Sequence, residues 1–253
     1  MKRRKFFSTA AIASALPLSC AAGNKLPSSI TADDKEIYEI RIYEMKFGGN
    51  QNLLLEYLNN ALAPALKRAG ANHFKLFTEV GNSGPKKIWG LISYPNALTY
   101  INAQNLRSDE EFVSSATAYN AAENAIFNRY SSWLLHAFDG MKQMMDPVEG
   151  ASVYEIRTYE GYSEDAVRRK IKMFNDEEIP LFLKVGLNPI FFGDMIAGPY
   201  RPSLTYMLNY KDMDAHGAAW QAFLQHPDWN AMKVKPIYAN TVSNIRNVFL
   251  KPM

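Results

Sequence analysis

The sequence predicts an α+β protein in which one βαββαβ unit occurs twice and the two units together close a barrel. Residues 38–44 read YEIRIYE and residues 154–160 read YEIRTYE, six identities in seven at an offset of 116. The same offset relates Gly70 to Gly186. Strand-like and helix-like patterns also follow in the same order after each motif. A fixed offset held over tens of residues indicates that the chain is a tandem duplication.

Each copy opens with a strand that is followed by a long helix. The strands alternate apolar and polar side chains, as half-buried strands do. The predicted strands are Ile37–Met45 and Val153–Glu160, and the predicted helices are Gln51–Arg68 and Glu164–Val185.

Capping residues support the predicted bounds of these two helices. Asn50 and Ser163 precede them as N-caps, because their side chains can accept from the free backbone N–H groups of the first turn. Gly70 and Gly186 follow as C-terminal stops. A proline late in each helix, at residues 64 and 180, should disturb the last turn.

Two further strands, a second helical region and a closing strand complete each copy. In the first copy these elements are predicted at 73–80, 86–94, 96–129 and 132–138, and in the second at 190–195, 204–210, 213–232 and 243–250. The order βαββαβ is that of the ferredoxin-like unit. Its sheet has helices on one face only, so the other face must be buried. We expect repeats at 36–146 and 150–253, with their two sheets facing each other in a pseudo-twofold α/β barrel.

The first 35 residues are predicted to be a signal peptide followed by a flexible tether. Residues 1–22 combine a basic start with a short apolar run, which is typical of a signal peptide. Arg3 and Arg4 resemble a twin-arginine motif, and a general secretory signal is the alternative. Cys20 follows a lipobox-like stretch and is the candidate lipidation site, with ordinary signal cleavage as the alternative. Residues 23–35 form a flexible tether, and the expected location is the periplasm or a lipid anchor in the bacterial envelope.

The YEIRxYE strand resembles the NIPSNAP family. The likeness covers residues 36–253 and includes the proline and glycine that end the first helix and the run His226-Pro227-Asp228-Trp229. This resemblance implies the dimeric α/β-barrel fold. The wider superfamily includes cofactor-free monooxygenases, haem-binding and haem-degrading enzymes, and dehydratases. NIPSNAP proteins themselves have no agreed reaction, so the resemblance names a fold and leaves the chemistry open.

The duplicated strand supplies the first candidate site. Alternation places Glu39, Arg41 and Tyr43 on one face of the first copy. Glu155, Arg157 and Tyr159 repeat this set in the second copy. We expect the apolar residues of these strands to pack under the helices and the polar set to point between the two sheets. There, Arg and Tyr could bind a carboxylate or an enolate oxygen. A Glu–Arg pair that only satisfies itself inside the barrel is the competing interpretation.

Histidines and aromatic residues extend this candidate site. His73 is the best candidate for a general base or a haem ligand, and His136 is considered on the same terms. His216 and His226 are expected on a helix surface and at a cap. The aromatic residues expected to line the cavity are Phe77, Trp89, Phe191 and Tyr206.

Several functional classes find no support in the sequence. No HxxxH, HExxH or CxxC spacing predicts a metal site, and no glycine-rich loop predicts a nucleotide. The net charge of +3 includes four positive residues at positions 2–5, so nothing indicates nucleic acid as a partner. No cofactor is predicted, with haem as an alternative. Membrane contact is expected only through the lipid anchor, and further pairing of chains into a homo-oligomer stays open.

The first functional interpretation is binding of a small apolar or aromatic molecule between the sheets, with its transformation left open. A non-catalytic binding or scaffold protein is the second interpretation. A haem-binding or cofactor-free monooxygenase-like enzyme is the third.

Overall fold

A computed structural model describes residues 34–81 and 84–253. The predicted signal peptide, the lipidation site at Cys20 and nearly all of the tether lie outside these residues. Among the helices of the described part, none combines the length and the apolar character needed to cross a membrane.

Eight antiparallel strands close a barrel in the order β1-β3-β2-β8-β5-β7-β6-β4. The strands are β1 (Ile37–Met45), β2 (His73–Glu79), β3 (Lys87–Tyr94), β4 (Phe127–Ala137), β5 (Val153–Glu160), β6 (Asn188–Ala197), β7 (Ser203–Tyr210) and β8 (Asn244–Pro252). Strands β1–β4 form one half of the barrel and β5–β8 form the other. The predicted fold class, two ferredoxin-like units that form an α/β barrel within one chain, is therefore confirmed.

Two seams join the halves. At one seam β2 pairs with β8, and at the other β4 pairs with β6. The second seam is close-packed at Gly193, where an added Cβ would lie 2.7 Å from Cβ of Leu135. Because each half covers the other's open edges, no strand of the barrel is left as a free edge.

Helices cover the outer face of each half-barrel. In the first half they are α1 (Gln51–Tyr57), α2 (Ala63–Arg68), α3 (Ala97–Asn102), α4 (Glu110–Ser115) and α5 (Thr117–Asn120). In the second half they are α6 (Glu164–Met173), α7 (Ile179–Val185), α8 (Met213–Gln225) and α9 (Pro227–Met232). The side chains of Asn50 and Ser163 cap α1 and α6 as predicted.

The predicted disturbance at the prolines takes the form of a π-helical turn. Leu58–Leu62 joins α1 to α2, and Phe174–Glu178 joins α6 to α7. Each turn ends two residues before the proline, whose nitrogen cannot donate to the preceding helix. π-turns inside α-helices often mark functional sites.

The lumen of the barrel is an apolar core shared by both halves. The rings of Tyr38 and Phe191 lie 4.9 Å apart, and those of Phe77 and Tyr154 also lie 4.9 Å apart. Ile40 of β1 packs into the same cluster. Two other cores lie on the outer face, each between one half of the sheet and its own helices.

The predicted orientation of the duplicated strand is therefore wrong. Tyr38, Ile40 and Ile42 face the lumen, whereas Tyr43 packs with the helix residues of the first half. Glu39, Arg41, Glu155, Arg157 and Tyr159 lie on that same helix-facing side. The closed lumen of an eight-stranded barrel is just wide enough to be filled by side chains, so it takes the more apolar face. The helix side can supply polar partners for the buried charges.

Candidate functional site

A pocket of about 460 Å³ lies between the sheet and the helices of the second half. We call it the second-repeat pocket. Strands β5 and β8 form its floor, and α6, α8, α9 and the π-turn form its walls. It is lined by Glu155, Arg157, Tyr159, Lys170, Glu178, His216, Trp220, Phe223, Leu224, Trp229, Val242, Ile245, Asn247 and Phe249.

The Glu155 carboxylate anchors the polar floor of this pocket. It is fully buried and accepts hydrogen bonds from Nη1 of Arg157 at 2.6 Å and from Nε1 of Trp220 at 3.2 Å. Nε2 of His216 lies 3.2 Å from its second oxygen. A buried carboxyl group that accepts several hydrogen bonds is fixed in orientation, so Glu155 holds the Arg157 guanidinium in place.

Arg157 keeps one donor free. Its Nε is buried and, among the residues that the structure describes, has no hydrogen-bond partner. The guanidinium stacks on Trp220 at 4.6 Å from the ring centroid, an arrangement that fixes its plane. Leaving a buried donor unsatisfied costs free energy, and such a group in a native structure calls for an explanation. A ligand oxygen in the pocket would satisfy it.

Lys170 and Glu178 form a buried ion pair at the wall. Their side chains are 6% and 3% exposed, and Nζ lies 2.7 Å from Oε2. The Lys170 ammonium also lies 4.7 Å from the Phe174 ring centroid. Burial raises the pKa of Glu178, while the Lys170 charge acts to lower it. A carboxyl whose pKa is raised by burial beside a pocket is a candidate for proton transfer.

Two tyrosines complete the interior of the site. The hydroxyls of Tyr159 and Tyr206 are 2.8 Å apart. Burial is the main cause that raises the pKa of Tyr206 well above its usual value. Tyr206 therefore stays a neutral phenol, and the pair of hydroxyls lies on the same side of the sheet as Arg157.

In the first half, the corresponding Glu39–Arg41 pair has its hydrogen bonds satisfied by neighbouring protein groups. Arg41 donates to Glu39 through both Nε at 2.6 Å and Nη2 at 3.0 Å, so its fork is fully used. Tyr94 and Ser132 complete the donors to that carboxylate. This matches the competing interpretation of a self-satisfied Glu–Arg pair, but only in the first half.

The remaining predicted site residues are dispersed. Phe77 and Phe191 are buried in the lumen core, and Trp89 lies there at one end of the barrel. Nδ1 of His73 lies 2.9 Å from Oγ of Ser93 in the first half. His136 lines a separate cavity on the outside of the barrel. Neither histidine lines the second-repeat pocket, and His226 is an N-cap of α9 as expected.

Sequence reasoning missed Lys170, Glu178, His216 and Trp220. His216, Trp220 and Phe223 are spaced i, i+4 and i+7 on α8, which places them on one helix face. That spacing was available in the sequence and contradicts a surface role for His216. Lys170 shares the buried face of α6 with Val167. A lysine at an apolar position of an amphipathic helix is the signal that could have found it.

Within residues 34–81 and 84–253, no cluster of three or more His, Cys, Asp or Glu could hold a metal ion. The described site is built from the Glu155–Arg157 and Lys170–Glu178 ion pairs, His216, phenols and aromatic rings.

Comparisons with known proteins agree with this architecture. Residues 154–253 match the NIPSNAP family model. No curated protein matches the sequence. A proposed monooxygenase from Lactobacillus acidophilus is 10% identical with a TM-score of 0.57, over 86% of this chain and 94% of the other. A second proposed monooxygenase, from Fusobacterium nucleatum, is 8% identical with a TM-score of 0.58, over 86% and 92%. At such identities the likeness shows a shared fold alone.

Proposed function

We propose that this chain, whose residues 154–253 form a NIPSNAP domain, binds a small aromatic molecule in the second-repeat pocket. The free Nε of Arg157 is the observation that carries this proposal. Trp220, Trp229 and Phe223 offer apolar walls, and such walls with a few converging polar groups are typical of small-molecule sites. The ligand would place a carboxylate, enolate or phenolate oxygen on Arg157.

Native mass spectrometry with an absorbance scan tests this proposal on the protein purified from its own host. We expect a copurifying organic molecule whose mass is lost in Arg157→Gln. The matched control is Arg168→Gln, since Arg168 is an exposed arginine whose contact is an ion pair with Asp165 on the helix surface. A bare protein mass in the wild type, together with no saturable binding of 2-naphthoate or 2-naphthol, would contradict the proposal.

A cofactor-independent reaction is the second candidate, favoured by the Lys170–Glu178 pair. The proposed monooxygenases that share the fold make oxygen chemistry the class to test first. In this scheme Glu178 takes a proton from the bound aromatic molecule and Arg157 stabilises the anion that results. The carbanion and dioxygen would form a C–O bond, and the peroxide would take back the proton held by Glu178. Cleavage of the O–O bond with loss of the second proton from the same carbon would release water and leave a carbonyl on the product.

An oxygen electrode tests the second candidate with the copurified molecule as substrate. We expect oxygen consumption that falls by about 10²–10⁴-fold in Glu178→Gln, the usual contribution of a general base. Binding measured by calorimetry should persist in that variant. If the ligand is released chemically unchanged and no oxygen is consumed, the enzymatic proposal is contradicted and the binding proposal stands.

Export is part of the proposed function and rests on residues 1–22. Replacing Arg3 and Arg4 by lysine should block a twin-arginine route and leave the protein in the cytoplasmic fraction. A Cys20→Ala variant should release an otherwise lipid-anchored protein from the membrane fraction. Unchanged fractionation of the arginine variant would contradict the twin-arginine route. Unchanged fractionation of Cys20→Ala would contradict lipidation at Cys20.

A further inference from the structure

A second cavity, of about 390 Å³, opens at one end of the barrel lumen. We call it the lumen-mouth cavity. Strands of both halves contribute to it, so it exists only in the closed barrel. It faces the side of the sheet opposite to the second-repeat pocket and has no lining residue in common with it.

Aromatic rings form the floor of the lumen-mouth cavity. Trp89 and Trp133 meet edge to face with centroids 5.7 Å apart, and Trp133 and Tyr200 do so at 6.0 Å. Ile156 and Val248 add apolar surface from the second half. Rings fixed at right angles to one another leave flat faces for a further planar ring.

Tyr200 is held at the mouth in an unusual backbone conformation. Its φ of +66° lies in the left-handed region, which residues other than glycine rarely adopt. The Arg246 guanidinium stacks on its ring at 4.2 Å. Strained residues of this kind cluster at ligand clamps, where surrounding contacts keep them in place.

Three cations and two carboxylates line the cavity, namely Lys87, Arg129, Arg246, Glu44 and Glu79. Lys87 pairs with Glu79 at 3.2 Å, and Arg246 pairs with Glu160. Arg129 lines the cavity and, within the described residues, takes part in no ion pair. Glu44 is its register partner on β1, and that carboxylate accepts a hydrogen bond from Asn128 at 3.2 Å.

We propose that the lumen-mouth cavity is a second ligand site, which takes a planar aromatic carboxylate. The ring lies against Trp89, Trp133 and Tyr200, and the carboxylate pairs with the Arg129 guanidinium, whose fork matches a carboxylate. The site is independent of the second-repeat pocket. Its ligand contacts both halves, so binding ties the two repeats together.

The four tryptophans allow ligand binding in each cavity to be measured separately by fluorescence. Trp89 and Trp133 lie at the lumen mouth, whereas Trp220 and Trp229 line the second-repeat pocket. In the double variant Trp220→Phe/Trp229→Phe, we expect saturable quenching of the remaining fluorescence by 2-naphthoate. The uncharged 2-naphthamide should bind more weakly.

Arginine variants in that background test the proposed ion pair. Arg129→Gln, at an exposed position, should weaken 2-naphthoate binding about tenfold, as expected for loss of one charge-assisted contact. Arg107→Gln, the same change at an exposed arginine outside both cavities, should leave the affinity unchanged. Val248→Phe should fill the cavity and abolish the quenching.

Two results would overturn the proposal. The first is an absence of saturable quenching in Trp220→Phe/Trp229→Phe, and the second is quenching that Arg129→Gln does not alter. Quenching in the converse variant Trp89→Phe/Trp133→Phe reports on the second-repeat pocket, so failure at one site is distinguishable from failure at the other.

Discussion

The two halves of the barrel repeat one framework and differ in what they bury beneath their helices. At the offset of 116, Leu54 and Leu62 of the first half correspond to Lys170 and Glu178 of the second. Both leucines are fully packed, whereas the second half buries an ion pair around the same π-turn. Gly90 likewise corresponds to Tyr206, which shares a hydrogen bond with Tyr159. Duplication thus preserved the strands, caps and π-turns, and divergence placed the buried Lys170–Glu178 pair and the Tyr159–Tyr206 hydrogen bond in the second copy.

The largest expected effect comes from breaking the Lys170–Glu178 pair on one side. Glu178→Leu should lower the free energy of unfolding by about 3–5 kcal/mol, because it leaves the lysine buried without its partner. Lys170→Leu/Glu178→Leu, which copies the first half, should be close to neutral or stabilising. Urea unfolding followed by circular dichroism checks both. A double variant as unstable as the single one would show that the pair is not interchangeable with leucines.

Substitutions of Arg41 and Arg157 should have different effects on stability and on ligand binding. Arg41→Met should cost about 3–5 kcal/mol, because Glu39 loses both donors of a buried fork. Arg157→Met should cost less, about 1–3 kcal/mol, because Arg157 gives Glu155 one hydrogen bond. Binding in the second-repeat pocket should be lost only in the second variant. The comparison fails if Arg41→Met abolishes binding while the protein stays folded.

The buried carboxyl predicts a difference in pH dependence between wild type and the double-leucine variant. Because the folded pKa of Glu178 is raised above its unfolded value, its contribution to stability is complete below the unfolded pKa, about 4.3. That contribution is lost as the pH rises through the folded pKa. Unfolding free energies measured from pH 4 upward should therefore fall more steeply in the wild type than in Lys170→Leu/Glu178→Leu. Parallel curves would contradict the raised pKa.

The smallest effects should be equal in the two halves. Asn50 accepts from the N–H of Leu53, and Ser163 accepts from that of Ala166. Asn50→Ala and Ser163→Ala should each cost about 1 kcal/mol, the usual value of an N-cap. Thermal melts of both variants check this. A loss of stability in only one of the two variants would show that the two N-caps do not contribute equally.

Much of the fold could be predicted because it depends on sequence patterns that span only a few residues. The YEIRxYE repeat, the caps at Asn50 and Ser163, and the glycines at 70 and 186 each act over a few residues. Three of the residues that the sequence singled out, Glu155, Arg157 and Tyr159, line the second-repeat pocket. Their direction could not be found from alternation, which assigns two faces to a strand and does not say which one is enclosed.

Partners that are far apart in sequence were also beyond local patterns. His216 reaches Glu155 across 61 residues, and Trp220 stacks on Arg157 from the same helix. The contrast between Arg41 and Arg157 follows from such contacts, because their own strands are nearly identical.

The sequence by itself determined the duplication, the element order, the ends of the first helical stretch in each copy and hence the barrel, since these depend on period, capping and chain connectivity. Tertiary structure decided which face of the strand was enclosed, which copy kept an open pocket, and that a second cavity lies at the lumen mouth. The physical reason is that burial and pairing of charges depend on side chains brought together by barrel closure. Those neighbours are set by packing in three dimensions, which no single stretch of the chain encodes.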